Sequence, residues 1–136
     1  MYIGRLQLKG FKSFGGVHDL ILSSGFTAIV GPNGSGKSNL LDALRWSLGD
    51  SNAGRLRITR LSDLLFQGSV SMAAAKEAEV TLQLREDTRI CSVKRRVTAP
   101  DGATVAFVDN MRKTLTELDE TKRDWKLEGD RFAFIG

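Results

Sequence analysis

Cysteine, histidine and proline are scarce in this chain, and their scarcity excludes several kinds of site. There are one cysteine, one histidine and two prolines among 136 residues. The single thiol, Cys91, cannot form an internal disulfide, and no group of Cys and His side chains has metal-ligand spacing. We therefore expect a reducing, cytoplasmic location.

Long hydrophobic runs are also missing. No apolar stretch approaches the ~20 residues that a membrane span needs, so no membrane contact is expected. Residues 1–9 alternate apolar and polar side chains and lack the apolar segment of a signal peptide, which predicts a strand. A hydrophobic share of 41% and a charged share of 26% are those of a globular protein with one core. The small net charge of +4 permits contact with a polyanion without requiring it.

Hydrophobic periodicity predicts strands in the first third of the chain, followed by a helix. Residues 3–8 and 17–22 predict two strands, and the apolar run 26–30 is typical of a strand buried on both faces. A helix is predicted over residues 37–48, because its leucines recur at helical spacing.

Polar residues in and after this helix give two further expectations. Asp42 and Arg45 are three residues apart, so they are expected to pair on its outer face. Gly49 is a plausible left-handed stop at its C-terminus.

Short strands and turns are predicted for the rest of the chain. In Ala99-Pro100-Asp101-Gly102 the proline pre-sets one dihedral angle and the glycine accepts positive φ, which predicts a hairpin. The other expected segments are an irregular stretch over 50–60, a short apolar element over 61–66, an exposed connection over 68–75, strands over 80–84, 90–97 and 104–108, a helix over 111–119 and a final strand over 132–135.

One segment carries specific chemistry. The run Gly31-Pro32-Asn33-Gly34-Ser35-Gly36-Lys37-Ser38 fits G-x-x-x-x-G-K-[ST] in full and lies between a predicted buried strand and a predicted helix. Its glycines let backbone N–H groups turn inward around phosphates, beside the positive end of the helix. Lys37 supplies an ammonium group for the β- and γ-phosphates of ATP, and the Ser38 hydroxyl can bind Mg²⁺. The sequence therefore predicts a P-loop.

A catalytic carboxylate is harder to find. Residues 105–109 have the outline of a Walker B strand ending at Asp109, but Asp109-Asn110 after a hairpin strand is ordinary turn chemistry. We favour the turn and assign no catalytic residue. Gln67 precedes a glycine in a short element and is not interpreted as a Q-loop glutamine.

Several segments together resemble the N-terminal head segment of SMC (structural maintenance of chromosomes) proteins. They follow one another in the order and spacing of that family, and the similarity extends from residue 1 to about residue 108. The segments are Gly10-Phe11-Lys12-Ser13-Phe14, the loop 31–38 with Asn39, Asp42-Ala43-Leu44-Arg45-Trp46, Leu56-Arg57, and the stretch from Asp63 through Ser69.

The resemblance implies an architecture and a set of partners. SMC heads are ABC-type ATPases split in sequence, and residues 1–136 look like the N-terminal half alone, without coiled coil, hinge or C-terminal half. The implied fold is α/β, with a mixed, curved sheet around the P-loop helix and an antiparallel β-lobe after Gly68. The implied partners are the C-terminal half of the same head, a second copy of the head, DNA and accessory subunits of unknown identity. In a bacterium or archaeon the protein would be associated with the nucleoid.

The resemblance also implies nucleotide-binding residues outside the loop. Lys12 and Ser13 match a segment that approaches the phosphates, and Asn39 follows the loop directly. Arg57 matches an arginine beside the nucleotide, although a solvated basic loop is an alternative for this residue. Asp63 and Leu65 match the adenine side.

Three functional interpretations remain open. The leading one is ATP binding in an SMC head that acts on chromosomes, with ATPase activity only in a completed, dimeric head. Recombination-repair ATPases of the RecF and RecN type share the head plan. A stand-alone nucleotide-binding switch is the third. The basic run Lys94-Arg95-Arg96 is either a DNA-facing strand or a charged, solvent-facing sheet edge.

Overall fold

A computed structural model of the protein describes residues 2–21, 37–50, 52–125 and 127. The predicted strand over 26–30, the glycines of the predicted P-loop and the predicted final strand lie outside these residues. The described elements are strands β1 (Tyr2–Phe11), β2 (Phe14–Ile21), β3 (Glu77–Glu86), β4 (Arg89–Thr98), β5 (Ala103–Val108) and β6 (Met111–Lys113), helices α1 (Lys37–Ser47), α2 (Ala53–Leu56) and α3 (Leu115–Asp124), and a 3-10 helix (Leu61–Leu64).

The six strands form one sheet in the order β2-β1-β3-β4-β5-β6, and all neighbours are antiparallel. Side chains alternate between a buried and a more exposed face, so that β3 buries Ala78, Val80, Leu82 and Leu84. The antiparallel lobe predicted after Gly68 is present, and it continues without a break into β1 and β2. The strand predicted over residues 3–8 lies within β1, and the strand predicted over residues 17–22 agrees with β2 as far as Ile21.

Helix α1 packs on the buried face of the sheet and is enclosed on nearly every side. Leu41, Ala43, Leu44 and Trp46 are all buried, and the Trp46 ring stacks on Phe11 of β1 with 5.6 Å between ring centroids. This stacking ties the helix to the end of β1. The helix stops as predicted at a glycine with φ of 100°.

The predicted irregular stretch over residues 50–60 and the predicted apolar element over residues 61–66 each contain a short helix. The stretch 50–60 includes α2, whose first turn is capped by Asn52 through its side-chain oxygen and the N–H of Arg55. The apolar element 61–66 is a 3-10 helix followed by a bridge between Leu65 and Phe11. The bridge fixes the second segment against the end of β1.

The predicted helix over 111–119 is wrong in its first residues. The chain turns through Asp109 and Asn110, both at positive φ, into the short strand β6, and α3 begins only at Leu115. Thr114 and Glu117 form a reciprocal capping box that sets this start.

The sheet-edge interpretation of the basic run Lys94-Arg95-Arg96 is wrong, whereas the DNA-facing interpretation stays a prediction. Strand β4 lies between β3 and β5, so it is not a sheet edge. Arg95 is on the core side, 1% exposed, and donates from Nη1 to the Trp46 carbonyl oxygen at 2.9 Å. Burial lowers the pKa of its guanidinium to about 10. Arg95 therefore does not face solvent, whereas the Arg96 side chain is 33% exposed and pairs with Glu79 at 2.7 Å.

We predict that Gly102→Ala destabilises the protein more than Gly16→Ala does. Both glycines have positive φ, at 78° and 71°, so each alanine has a backbone cost of about 1 kcal/mol. At position 102 a Cβ atom would also lie 3.0 Å from the backbone nitrogen of Ser62, whereas at position 16 the nearest atom is 3.7 Å away. Urea unfolding of both variants measures the difference. Equal losses of unfolding free energy would show that the close approach of Gly102 to Ser62 of the 3-10 helix does not affect stability.

Candidate functional site

A cleft of about 420 Å³ opens where β1, α1, α2 and the 3-10 helix converge. Six of the predicted nucleotide-binding residues line it, although they come from four separate segments. The lining residues are Lys12, Ser13, Asn39, Arg57, Ile58, Asp63, Leu65, Phe66, Gln67 and Gly68.

Two cations of the cleft occupy unusual backbone positions. Lys12 lies in the turn between β1 and β2 with φ of 47°, and Arg57 ends α2 with φ of 55°. The left-handed region is uncommon for residues other than glycine and persists only where surrounding contacts hold it. Here the N–H of Lys12 donates to the Leu64 carbonyl oxygen at 2.8 Å, and the N–H of Arg57 donates to the Gly54 carbonyl oxygen at 3.2 Å.

Both cations meet on one buried carboxylate that the sequence analysis did not assign to the site. Oδ2 of Asp42 accepts from Lys12 Nζ at 2.7 Å and from Arg57 Nη2 at 2.6 Å and Nε at 3.1 Å. The Asp42 side chain is only 1% exposed. The expected pairing with Arg45 is present, with Arg45 Nη1 3.8 Å from Oδ1, but the Asp42 side chain is buried and does not lie on an outer face of α1.

Asn39 connects this ion cluster to the first turn of the chain. Its Oδ1 accepts from Arg57 Nη2 at 2.9 Å, and its Nδ2 donates to the Ser13 hydroxyl at 2.8 Å. Arg57 is half exposed, but its guanidinium donates three hydrogen bonds, to Asp42 and Asn39. It is therefore not a freely solvated loop residue. Asn39, Arg57, Lys12 and Ser13 form one connected wall of the cleft.

Asp63 and Leu65 also line the cleft. The N–H groups of Arg60 and Thr59 donate to the Asp63 carboxylate at 3.1 and 3.0 Å and lower the pKa of this group. Leu65 is 5% exposed and is held by its bridge to Phe11. Both residues face the cleft while also fixing the segment that carries them.

Gln67 lines the cleft as well, with its Nε2 donating to the Leu65 carbonyl oxygen at 2.9 Å. Asp109 does not, because it lies in the β5–β6 turn, where its Oδ1 accepts from the N–H of Ser92 at 2.9 Å. That geometry agrees with the turn interpretation rather than with a Walker B aspartate.

The predicted phosphate loop is only partly within the described residues. Pro32, Asn33, Gly34, Ser35 and Gly36 lie outside them. Lys37 and Ser38 begin α1, at the point where the motif requires a helix to start. Their backbone is therefore on the same helix as Asn39 and Asp42, one turn or less away from the cleft wall.

Among the described residues no three His, Cys, Asp or Glu side chains come together as a metal site. In the same part of the chain, no helix combines the length and apolar character needed to cross a bilayer.

The model of the RecF/RecN/SMC N terminal domain family matches residues 2–130 of the chain. The chain belongs to this family. The match includes every residue of the cleft and the whole predicted P-loop.

Individual relatives and solved structures agree with this assignment. The chromosome partition protein Smc of Halothermothrix orenii is 37% identical over all of this chain, which spans 12% of that relative. A chain solved in work on ATP-driven dimerization and DNA-stimulated activation of SMC ATPases superposes with a TM-score of 0.87 at 39% identity, covering 96% of this chain and 82% of that one. The Smc head domain of Pyrococcus furiosus, solved with an extended coiled coil and the C-terminal domain of ScpA, superposes with a TM-score of 0.85 at 39% identity. The superposition covers 93% of this chain and 34% of that one. The predicted SMC head fold is thereby confirmed.

We predict that Asp63→Asn lowers the melting temperature at pH 7 and that this loss shrinks below about pH 4. The folded-state pKa of Asp63 is depressed by the N–H groups of Arg60 and Thr59, so its stabilisation is present above the unfolded pKa and is lost as pH falls through the folded one. Thermal unfolding at both pH values measures the effect. Asp119→Asn is the control, because the Asp119 carboxylate lies 4.0 Å from its cationic neighbour at an exposed site. A loss of melting temperature that is the same at both pH values would show that the hydrogen-bonded Asp63 carboxylate does not stabilise the fold through its charge.

Proposed function

We propose that this chain is the ATP-binding N-terminal half of an SMC-type head ATPase that acts in chromosome partition. The observation that carries the proposal is the cleft, in which Asp42 joins Lys12 to Arg57 and Arg57 in turn binds Asn39. These contacts lie beside the first turn of the helix that begins at the end of a complete P-loop motif. Relatives over the whole chain are chromosome partition proteins, which favours an SMC head over a RecF- or RecN-type head.

In the proposed arrangement, the described cleft and the P-loop hold different parts of one nucleotide. Backbone N–H groups of residues 33–36 and the Lys37 ammonium bind the phosphates, and the Ser38 hydroxyl is the Mg²⁺ ligand. Lys12 and Arg57 add two cations on the phosphate side of the cleft. Asp63 and Leu65 form the adenine side, where the apolar body of Leu65 contacts the base.

The chain alone is proposed to bind ATP without turning it over. Phosphoryl transfer to water needs a carboxylate or a polar group that positions the attacking water. The two carboxylates of the described cleft region are already engaged, Asp42 by two cations and Asp63 by two backbone N–H groups. The missing groups are proposed to come from the C-terminal half of the head and from a second head.

The proposed partners follow from the relatives. Solved SMC heads include one from work on ATP-driven dimerization and DNA-stimulated activation, and others bound to ScpA. We propose a second copy of the head, DNA and a ScpA-like accessory subunit as partners, and a cytoplasmic, nucleoid-associated location. The chain spans only about a tenth of its full-length relatives, so the arm and hinge would belong to the rest of such a protein.

Calorimetric titration should show saturable but weak ATP binding to the chain and no multiple turnover. Lys37→Ala should weaken binding by about ten-fold or more, because it removes the ammonium at the β- and γ-phosphates. Lys76→Ala, at an exposed position outside the cleft, is the control. Equal affinity of the Lys37→Ala variant and the parent would contradict the proposed function. Multiple turnover of ATP by the parent chain, lost in the Asp109→Asn variant, would also contradict it.

Co-expression with a C-terminal head half should create ATPase activity. Under the proposal that activity requires Lys37 and rises more than linearly with protein concentration, because two heads must meet around the nucleotide. Activity strictly proportional to concentration, at levels where light scattering detects only monomers, would contradict the dimeric mechanism.

A further inference from the structure

The carboxylate of Asp42 is the one group in the described cleft region that both cations contact. Its Oδ2 lies 2.7 Å from Lys12 Nζ and 2.6 Å from Arg57 Nη2. Lys12 Nζ also donates to the Leu56 carbonyl oxygen at 2.6 Å, so the ammonium is aimed by two acceptors. Without the carboxylate, the ammonium and the guanidinium would have no shared anion between them.

The three partners differ in how far they reach solvent. The side chain of Asp42 is 1% exposed and that of Lys12 is 9%, whereas that of Arg57 is 52% exposed and lines the cleft. The contacts of Arg57 to Asp42 and Asn39 engage Nε and Nη2, and its planar fork has a further amino group, Nη1. Asp42 faces Lys12, Arg57 and, at 3.8 Å, Arg45, so the cluster carries a net positive charge, and Lys12 and Arg57 line the cleft.

We propose that Asp42 is a positioning residue for polyphosphate recognition, holding the Lys12 ammonium and the Arg57 guanidinium side by side at the cleft wall. This inference rests on the proposed function, since it assigns to Asp42 a role in binding the phosphates of the same nucleotide. Asp42 acts through the two cations and does not itself contact the ligand.

The test compares ATP, ADP, AMP and adenosine, which differ only in the number of phosphates. Asp42→Asn keeps the shape of the side chain and removes its charge. It should weaken ATP binding by about ten-fold or more, ADP and AMP progressively less, and adenosine by less than about two-fold. Asp19→Asn is the matched control, because Asp19 pairs with Arg5 at an exposed position on β1 and β2.

A role confined to folding would weaken the binding of all four ligands alike, and that outcome would overturn the inference. Unchanged or tighter ATP binding would also overturn it, since the carboxylate would then be irrelevant to the cations or in competition with the phosphates. Absence of Lys37-dependent ATP binding to the parent chain would overturn the proposed function together with the inference. Lys37-dependent binding with no Asp42 effect would overturn the inference alone.

Because removal of one partner from a buried ion pair can prevent folding, a second pair of variants keeps the test decisive. Lys12→Met leaves Asp42 paired with Arg57, and Lys12→Met/Asp42→Asn removes both members of the most buried pair, leaving the half-exposed Arg57 able to reach water. The double variant should bind ATP about five-fold or more weakly than Lys12→Met, with equal affinities for adenosine. Equal ATP affinities in these two variants would show that Asp42 does not position Arg57.

Discussion

A single buried carboxylate holds together segments that are far apart in the sequence. Asp42 lies on α1, and its two partners come from the turn after β1 and the end of α2, 30 and 15 residues away. A buried charge is tolerated only when it is paired and hydrogen-bonded. The ion cluster therefore constrains where the β1 turn and α2 lie relative to the helix, and so defines the shape of the cleft.

The rest of the fold supplies the rigid frame for this cluster. The sheet covers one side of α1, and Trp46 fixes the helix through its stacking on Phe11 and the hydrogen bond from Arg95 to its carbonyl oxygen. Arg95 also lies over the Trp46 ring, 4.8 Å from its centroid. A buried arginine of β4 thus contacts the C-terminal end of the helix whose N-terminus follows the phosphate-binding motif. The lobe of later strands is consequently part of the support of the site.

Local signals in the sequence predicted the elements that depend on local chemistry. The hairpin at Gly102, the helix stop at Gly49 and the turn at Asp109-Asn110 follow from backbone preferences of the residues themselves. The start of α3 could have been predicted too, because Thr114 and Glu117 have the spacing of a capping box.

The ion cluster could not be predicted in the same way, because its contacts join residues distant in sequence. The pattern suggested Arg45 as the partner of Asp42, since both lie on one helical face. The structure shows that α1 is enclosed on nearly every side, so the carboxylate within it is buried and needs cations from other segments. Which cation it finds depends on the tertiary fold. The nucleotide-binding roles of Lys12, Ser13, Asn39, Arg57, Asp63 and Leu65 stay predictions that the shared cleft now supports.

The most direct test of the account is a titration of the isotope-labelled chain with Mg-ATP followed by amide and arginine side-chain NMR signals. The account predicts saturable shifts at the amides of Lys12, Ser13 and Asn39 and at Nε of Arg57, with little change at the β5–β6 turn around Asp109. Saturable binding that leaves all four cleft signals unmoved would contradict the claim that the Asp42 ion cluster forms part of the nucleotide site.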